Sequence, residues 1–259
     1  MKTSAPALER GLSLIECLAE SNDGLSFTEL KNKLNIPKPS LVRFIHVLLK
    51  NDYINKTDRK YNLGYKMLSL SSELLRKLDL RTKAYPYLKQ LMEQTNETIE
   101  LEIFDGKSLI IIEKIESEES VRLFSQVGDR FEHLHASAPG KIILAYTGFL
   151  TEYIKNTKLI KITKNTIINL NILKQQLAGI RNKGYSFDDQ EIRMGIRRIS
   201  APILDLHGKL TAVIDIAGPA FRICLKDVDK YGKLLNNIGL RISRELGYEK
   251  KSFNEKQSA

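Results

Sequence analysis

Two segments with helically spaced apolar residues are separated only by Asn35, Ile36 and Pro37, and this limits the fold more than any other feature of the chain. So short a connection, closed by a proline, ends one helix and turns the next sharply away from it. Before the turn, Ser26 precedes Glu29 in the spacing of a capping box, where hydroxyl and carboxylate satisfy free backbone donors, and Leu30 and Leu34 follow on one face. After it, Leu41, Ile45 and Leu48 mark the buried stripe of a further helix ending near Asn51 and Asp52. An earlier helix is predicted from Ala7 to about Ser21 on Leu8, Leu12, Ile15, Leu18 and Ala19, with Asn22, Asp23 and Gly24 as its stop. Tyr53–Thr57 and Lys60–Leu63 read as short strands around Asp58 and Arg59, the size of a wing. Helix, helix, turn, helix and wing are complete by Gly64, so residues 1–64 are predicted to form a mostly α winged helix-turn-helix domain.

The charge lies where such a domain would meet DNA. The formal net charge of +10 favours an anionic partner. Between Lys38 and Lys66 stand Lys38, Arg43, Lys50, Lys56, Arg59, Lys60 and Lys66 against only Asp52 and Asp58. With Leu41, Ile45 and Leu48 turned inward, Ser40, Arg43 and either His46 or Val47 project toward base edges or phosphates in a major groove. The helix start at Pro37 and Lys38 favours a phosphate, and Arg59 and Lys60 suit backbone or minor-groove contact. Ser26, Pro37, Lys38, Ser40, Arg43, His46, Arg59 and Lys60 are therefore the candidate residues for double-stranded operator DNA. The bland alternative is a solvated basic face on a small helical domain.

Residues 65–79 are predicted to form a linker helix carrying Met67, Leu68, Leu70, Leu74 and Leu75, and a further helix covers Leu80–Gln94. The pattern then changes. Thr98–Phe104 and Ser108–Ile115 flank a turn at Asp105 and Gly106 as a β-hairpin. Further strands are expected at Val121–Phe124, Arg197–Asp205 and Lys209–Ala217, with helices after Pro139, over Leu170–Asn182 and over Lys226–Leu246. Residues 80–248 thus read as an α+β domain, an antiparallel sheet flanked by helices, and residues 249–259 as a flexible tail.

Other classes find less support. The longest apolar runs, such as Leu109–Ile112 and Ile142–Tyr146, fall far short of the ~20 residues of a membrane span. Glu9 and Arg10 come before any long apolar stretch, so no secretory leader is expected; a cytoplasmic location and no membrane partner are. Cys17 and Cys224 read as buried packing thiols. His133 and His135 alternate along an extended stretch and could ligate a metal with Asp188 or His207, but a structural role is the expectation, with no required metal. Asp188, Asp189, Glu191 and Arg198 superficially resemble acid/base machinery, yet there is no Gly-rich phosphate loop, Gly-x-Ser-x-Gly elbow or His-Glu-x-x-His helix. Neither catalytic residues nor a cofactor are expected.

Motifs through nearly the whole chain resemble the IclR family of bacterial transcriptional regulators. They include Gly24, Leu25, Ser26, Glu29 and Leu30; Pro37, Ser40 and Arg43; and Tyr61, Asn62, Leu63 and Gly64. In the second half, His135-Ala136-Ser137-Ala138-Pro139-Gly140-Lys141 resembles the family's effector-domain signature, as do Gly184 to Asp189 with Glu191, Gly195, Arg197, Ala201 and Pro202. Gly218, Pro219, Ala220 and Arg222, then Arg244, Leu246, Gly247 and Tyr248, complete it. The resemblance implies a winged helix joined by a linker helix to a GAF-like domain for a small metabolite, often a carboxylate, in a regulator or repressor that grips DNA as a homodimer or homotetramer. Pro39 stands where the family usually has Ser or Thr, which removes one donor to DNA without threatening the first helical turn.

The same resemblance places effector-binding positions at Leu123, Ala138, Pro139, Asp188, Arg198, Asp215 and Ala217. Arg198 and Asp215 depart from it, because the family commonly has small or weakly polar residues there. Period-two alternation can set these two on one face of neighbouring strands. Arg198 either forks onto a ligand carboxylate, with Asp188 or Asp215 accepting from ligand hydroxyls as in a sugar acid, or simply neutralises Asp215. A DNA-binding architectural protein whose second domain only dimerises is a further alternative; an enzyme of small carboxylates is the weaker one.

Overall fold

The computed structural model describes residues 5–77 and 79–249, and the chain divides into two units, Met1–Leu78 and Asp79–Ala259. The first runs α1 (Pro6–Ala19), β1 (Leu25–Ser26), α2 (Phe27–Leu34), α3 (Lys38–Lys50), β2 (Ile54–Thr57), β3 (Lys60–Leu63) and α4 (Tyr65–Lys77). Its local signals act as the residues dictate. Ser26 caps α2: the Glu29 amide donates to its hydroxyl at 3.3 Å while the Ser26 amide donates to the Glu29 carboxylate at 2.7 Å. Asn35 ends α2 in the left-handed conformation, which asparagine tolerates, and Pro37 caps α3 with Pro39 in its first turn.

Leu14, Leu18, Leu30, Leu41 and Ile45 form the core between the three helices, closed by Ile54 and Tyr61 of the wing. Its strands lie antiparallel in the order β1-β3-β2. Gly64 closes the wing because a Cβ there would strike the Asp52 carbonyl, while its amide donates to Tyr53 at 2.8 Å. The helical stripe of α1 differs from expectation: Leu14 and Leu18 are buried, whereas Leu8 and Leu12 are exposed. Only the C-terminal half of α1 is covered by the core, so periodicity alone overstates its buried length.

The second unit begins with α5 (Asp79–Thr95), β4 (Thr98–Phe104), β5 (Leu109–Ile115), β6 (Arg130–Phe131), α6 (Ala138–Tyr146) and α7 (Leu150–Asn156). It continues with α8 (Leu170–Lys183), β7 (Ser186–Asp189), β8 (Ile196–Leu204), β9 (Leu210–Pro219) and α9 (Val228–Glu245). Six antiparallel strands lie in the order β6-β5-β4-β9-β8-β7. Helices α5 and α9 cover one face; Gly239 of α9 approaches the Pro202 carbonyl so closely that a Cβ would collide. Helix α6 covers the other, with α8 packed against α6, and there the Ser186 hydroxyl donates to the Ala138 carbonyl at 2.7 Å. The expected α+β architecture is observed.

No strand forms at Val121–Phe124. The Lys114 ammonium donates to the Leu123 and Ser125 carbonyls at 3.3 and 2.8 Å, so a side chain, not a ladder, tethers this segment. The tail expected at 249–259 lies, from residue 250 on, outside the described residues. Cys17 and Cys224 are free and half-buried rather than buried. No helix among the described residues is long and apolar enough to cross a membrane.

Candidate functional site

The first candidate surface is the outer side of α3 with the wing. Burial of Leu41 and Ile45 leaves Lys38, Arg43, His46 and Lys50 exposed on the other side, together with Val42 and Val47, while Ser40 is half-buried. Arg59 and Lys60 are exposed at the tip of the β2–β3 hairpin. Ser26 and Pro37 differ from these. Ser26 is committed to capping α2 and Pro37 to starting α3, so both position the surface instead of extending it. Lys38, Arg43, Arg59 and Lys60 make no ion pair among the described residues, which leaves basic groups on a rigid scaffold facing water. Charge, helix N-terminus and hairpin tip together suit phosphate and groove contact.

The second is on the α6 side of the six-stranded sheet. Across the ladders Asp188 pairs with Arg198, Arg198 with Ala217, Ser200 with Asp215, and Asp215 with Glu100. Arg198 and Asp215 are thus diagonal neighbours on one face, and the Arg198 Nη1 donates to Asp215 at 2.8 Å. It also donates to Glu100 and lies 3.9 Å from Glu102. The Ser125 hydroxyl donates to the other Glu100 oxygen. Glu100, Glu102, Asp188 and Asp215 are fully buried, and both oxygens of Glu102 lack a hydrogen-bond partner. Beside this cluster a cavity of about 210 Å³ is lined by Glu102, Leu123, Ser125, Pro139, Arg193 and Arg198, among others.

Of the positions taken from the family resemblance, Leu123, Pro139 and Arg198 line this cavity. Asp188, Asp215 and Ala217 lie around Arg198 in the sheet behind it, and Ala138 is tied to Ser186. Glu100, Glu102, Ser125, Ser137 and Arg193 were not among them. The two glutamates alternate with Ile99, Leu101 and Ile103 on the face that also holds Thr98, a pattern that reads as the solvated face of a half-buried strand, so the chain alone did not signal their burial. His135 is internally satisfied: its Nδ1 meets the Tyr153 hydroxyl at 2.7 Å and its Nε2 the Ile160 carbonyl at 3.0 Å. Among the described residues, the group whose oxygens could converge on a cation is Glu100, Glu102 and Asp215, around the Arg198 guanidinium.

Burial dominates the protonation of this cluster. It holds Glu102 well above the usual carboxylate range, reinforced by Asp215, and it raises Asp215 despite the opposing pull of Arg198. Burial works against the charge of Arg198, but Glu100, Asp215 and Glu102 outweigh it and keep the guanidinium charged. Asp188 is pushed up to about 7 by burial, with the Glu191 amide at 2.6 Å opposing.

A carboxyl whose ordinary value is 3.8 therefore keeps in the fold a proton that the unfolded chain releases. That stabilisation is complete below the unfolded value and is lost as pH rises through about 7. The melting temperature of the second unit is expected to fall between about pH 5 and about pH 8, and Asp188→Asn to make the fall shallower, with Asp215 and Glu102 supplying the rest. Calorimetry across that range checks this; a flat or rising parent profile contradicts it.

A winged helix-turn-helix with a basic, exposed third helix, followed by an α+β unit with a polar cavity, defines a class of DNA-binding transcriptional regulators. The chain belongs to the IclR family of that class: the family's helix-turn-helix domain matches residues 7–58 and the bacterial transcriptional regulator IclR C-terminal domain matches residues 72–244. The transcriptional repressor IclR of Escherichia coli K12 is 30% identical over 247 residues, spanning 93% of this chain and 90% of that protein. The crystal structure of the Thermotoga maritima IclR aligns with a TM-score of 0.79 and 32% identity, covering 93% of this chain and 98% of that one. An IclR homolog of Microbacterium hydrocarbonoxydans complexed with 4-hydroxybenzoate shares the fold at a TM-score of 0.80 and 20% identity, covering 93% and 98%.

Proposed function

We propose that this chain is a ligand-responsive, non-enzymatic regulator, a repressor like its E. coli relative, working in the cytoplasm on operator DNA as a homodimer or homotetramer. Helix α3 carries base contacts through Arg43 and His46, with Ser40 beside them, while Lys38, Arg59 and Lys60 hold phosphates. DNA binding is controlled by a small metabolite, a carboxylate or sugar acid, in the cavity beside Arg198. The observation that carries this reading is the exposed basic side of α3, set on a buried core and capped at both neighbouring helix ends. A protein of the same fold holds 4-hydroxybenzoate, which supports a carboxylate.

The test is selection from random duplexes, followed by binding at several salt concentrations with and without a screen of small carboxylates and sugar acids. A selected site should bind with a log K that falls linearly with log salt, with a slope of about −0.9 per phosphate contacted. At least one screened compound should change that affinity. Failure to enrich any sequence would remove the DNA reading.

A further inference from the structure

The cavity beside α6 has an imbalance that a simple anion does not answer. Four buried acidic side chains, Glu100, Glu102, Asp188 and Asp215, surround one guanidinium, that of Arg198, so the site holds more acidic groups than fixed cations. Neighbouring cations are engaged elsewhere. Lys141 pairs with Glu191, and the Lys114 ammonium is taken by Glu116 and by the Leu123 and Ser125 carbonyls.

The hydrogen bonds are uneven as well. Glu100 receives Arg198 and the Ser125 hydroxyl, Asp215 receives Arg198 on one oxygen, and Asp188 receives the Glu191 amide. Glu102 receives nothing on either oxygen, although it is fully buried and lines the cavity. Burial holds this carboxyl toward its protonated form, and a cation brought against it would supply both the donors its oxygens lack and the charge that lets it ionise.

We propose that the effector meets the floor of this cavity with an ammonium on Glu102 and its mouth with a carboxylate on Arg193, so that the ligand class is a small zwitterion. This rests on the reading of the cavity as the effector site. At the floor, the Arg198 Nη1 is shared between Glu100 and Asp215, and Glu102 stands 3.9 Å from it with no donor of its own. Arg193 lines the same cavity, is exposed, and makes no ion pair among the described residues, so its guanidinium is open to an anion. An ammonium supplies three donors in a compact head, which suits a buried group with two unpartnered oxygens. The volume of about 210 Å³ lies below the roughly 300–1,000 Å³ of sites for drug-sized ligands, which selects a molecule of amino-acid size.

The test uses matched pairs on the full chain, with thermal shift followed by calorimetric titration: glycine against acetate, 3-aminopropanoate against propanoate, 4-aminobutanoate against butanoate, and L-serine against 3-hydroxypropanoate. Mg²⁺, Mn²⁺ and Zn²⁺ alone form a separate arm. At least one amine-bearing member should raise the melting temperature and bind about tenfold or more tightly than its partner lacking the amine, about the worth of one charged hydrogen bond. Glu102→Gln should weaken that ligand about tenfold or more, with near-ultraviolet circular dichroism reporting an intact fold. Arg193→Ala, a surface change, should weaken the same ligand.

Equal binding of both members of every pair overturns the proposal, as does undiminished binding by Glu102→Gln or no binding by any amine. Saturable binding of a divalent cation alone that Glu102→Gln abolishes assigns the carboxylates to a metal instead. A zwitterion that binds through Glu102 without altering operator affinity supports the ligand chemistry and overturns only the control of DNA binding.

Discussion

Arg198→Ala should be the most destabilising single substitution in the second unit. Removing the guanidinium leaves Glu100, Glu102 and Asp215 buried around no cation, and breaking a buried charge network from one side typically costs about 3–5 kcal/mol. For a unit of this size that is a fall in melting temperature of about 6–20 °C. Arg198→Lys keeps the charge but not the planar head that reaches two carboxylates from one nitrogen, so its loss should be smaller. Adding Glu100→Gln to Arg198→Ala should restore part of the stability, because it removes the carboxylate that Arg198 holds by hydrogen bond. Calorimetry of the single, the double and the parent decides the matter. A single variant that melts within a degree or two of the parent would mean the carboxylates are already neutral and do not depend on Arg198.

On the DNA side, Arg43→Ala should cost operator affinity about 1–3 kcal/mol, or roughly tenfold to a hundredfold, and relax the base preference beneath it. Lys60→Ala should act differently. A lost phosphate contact weakens binding to all sequences alike and reduces the salt slope by about one. Fluorescence anisotropy on the selected duplex and on single-base variants, across a salt series, separates the two. Arg43 sits on the exposed side of α3 while the core is made by Leu41 and Ile45, so stability should be untouched. Uniform weakening by Arg43→Ala, with base preference retained, would place Arg43 on the backbone instead of a base edge.

The two units differed in how much of them could be read from residues alone. The winged helix is built from contacts close in sequence. Ser26 and Glu29 cap within one turn, Asn35 to Pro37 force the helix reversal, and the hairpin pairs Thr57 with Lys60 across two residues. Such signals are local, so order and type of elements followed from the chain itself. What failed there was extent: α1 carries a helical stripe along its length, but only the core around Leu14 and Leu18 decides which part is covered.

In the second unit the α+β pattern was equally legible, and Arg198 and Asp215 stood out as charges in apolar strands. Their company did not. Glu100, Asp188, Arg198 and Asp215 come from four strands, and they meet only because β7, β8, β9 and β4 are neighbours in a register that places all four on the α6 side. A slip of one residue in any pair would send a carboxylate to the opposite face, and nothing in the separate strands sets that register. The winged helix, its basic third helix and the family were all legible in the order of residues. That acidic side chains enclose Arg198 and that Glu102 has no donor follows from the assembled sheet, because strand order and register do not reside in any single strand.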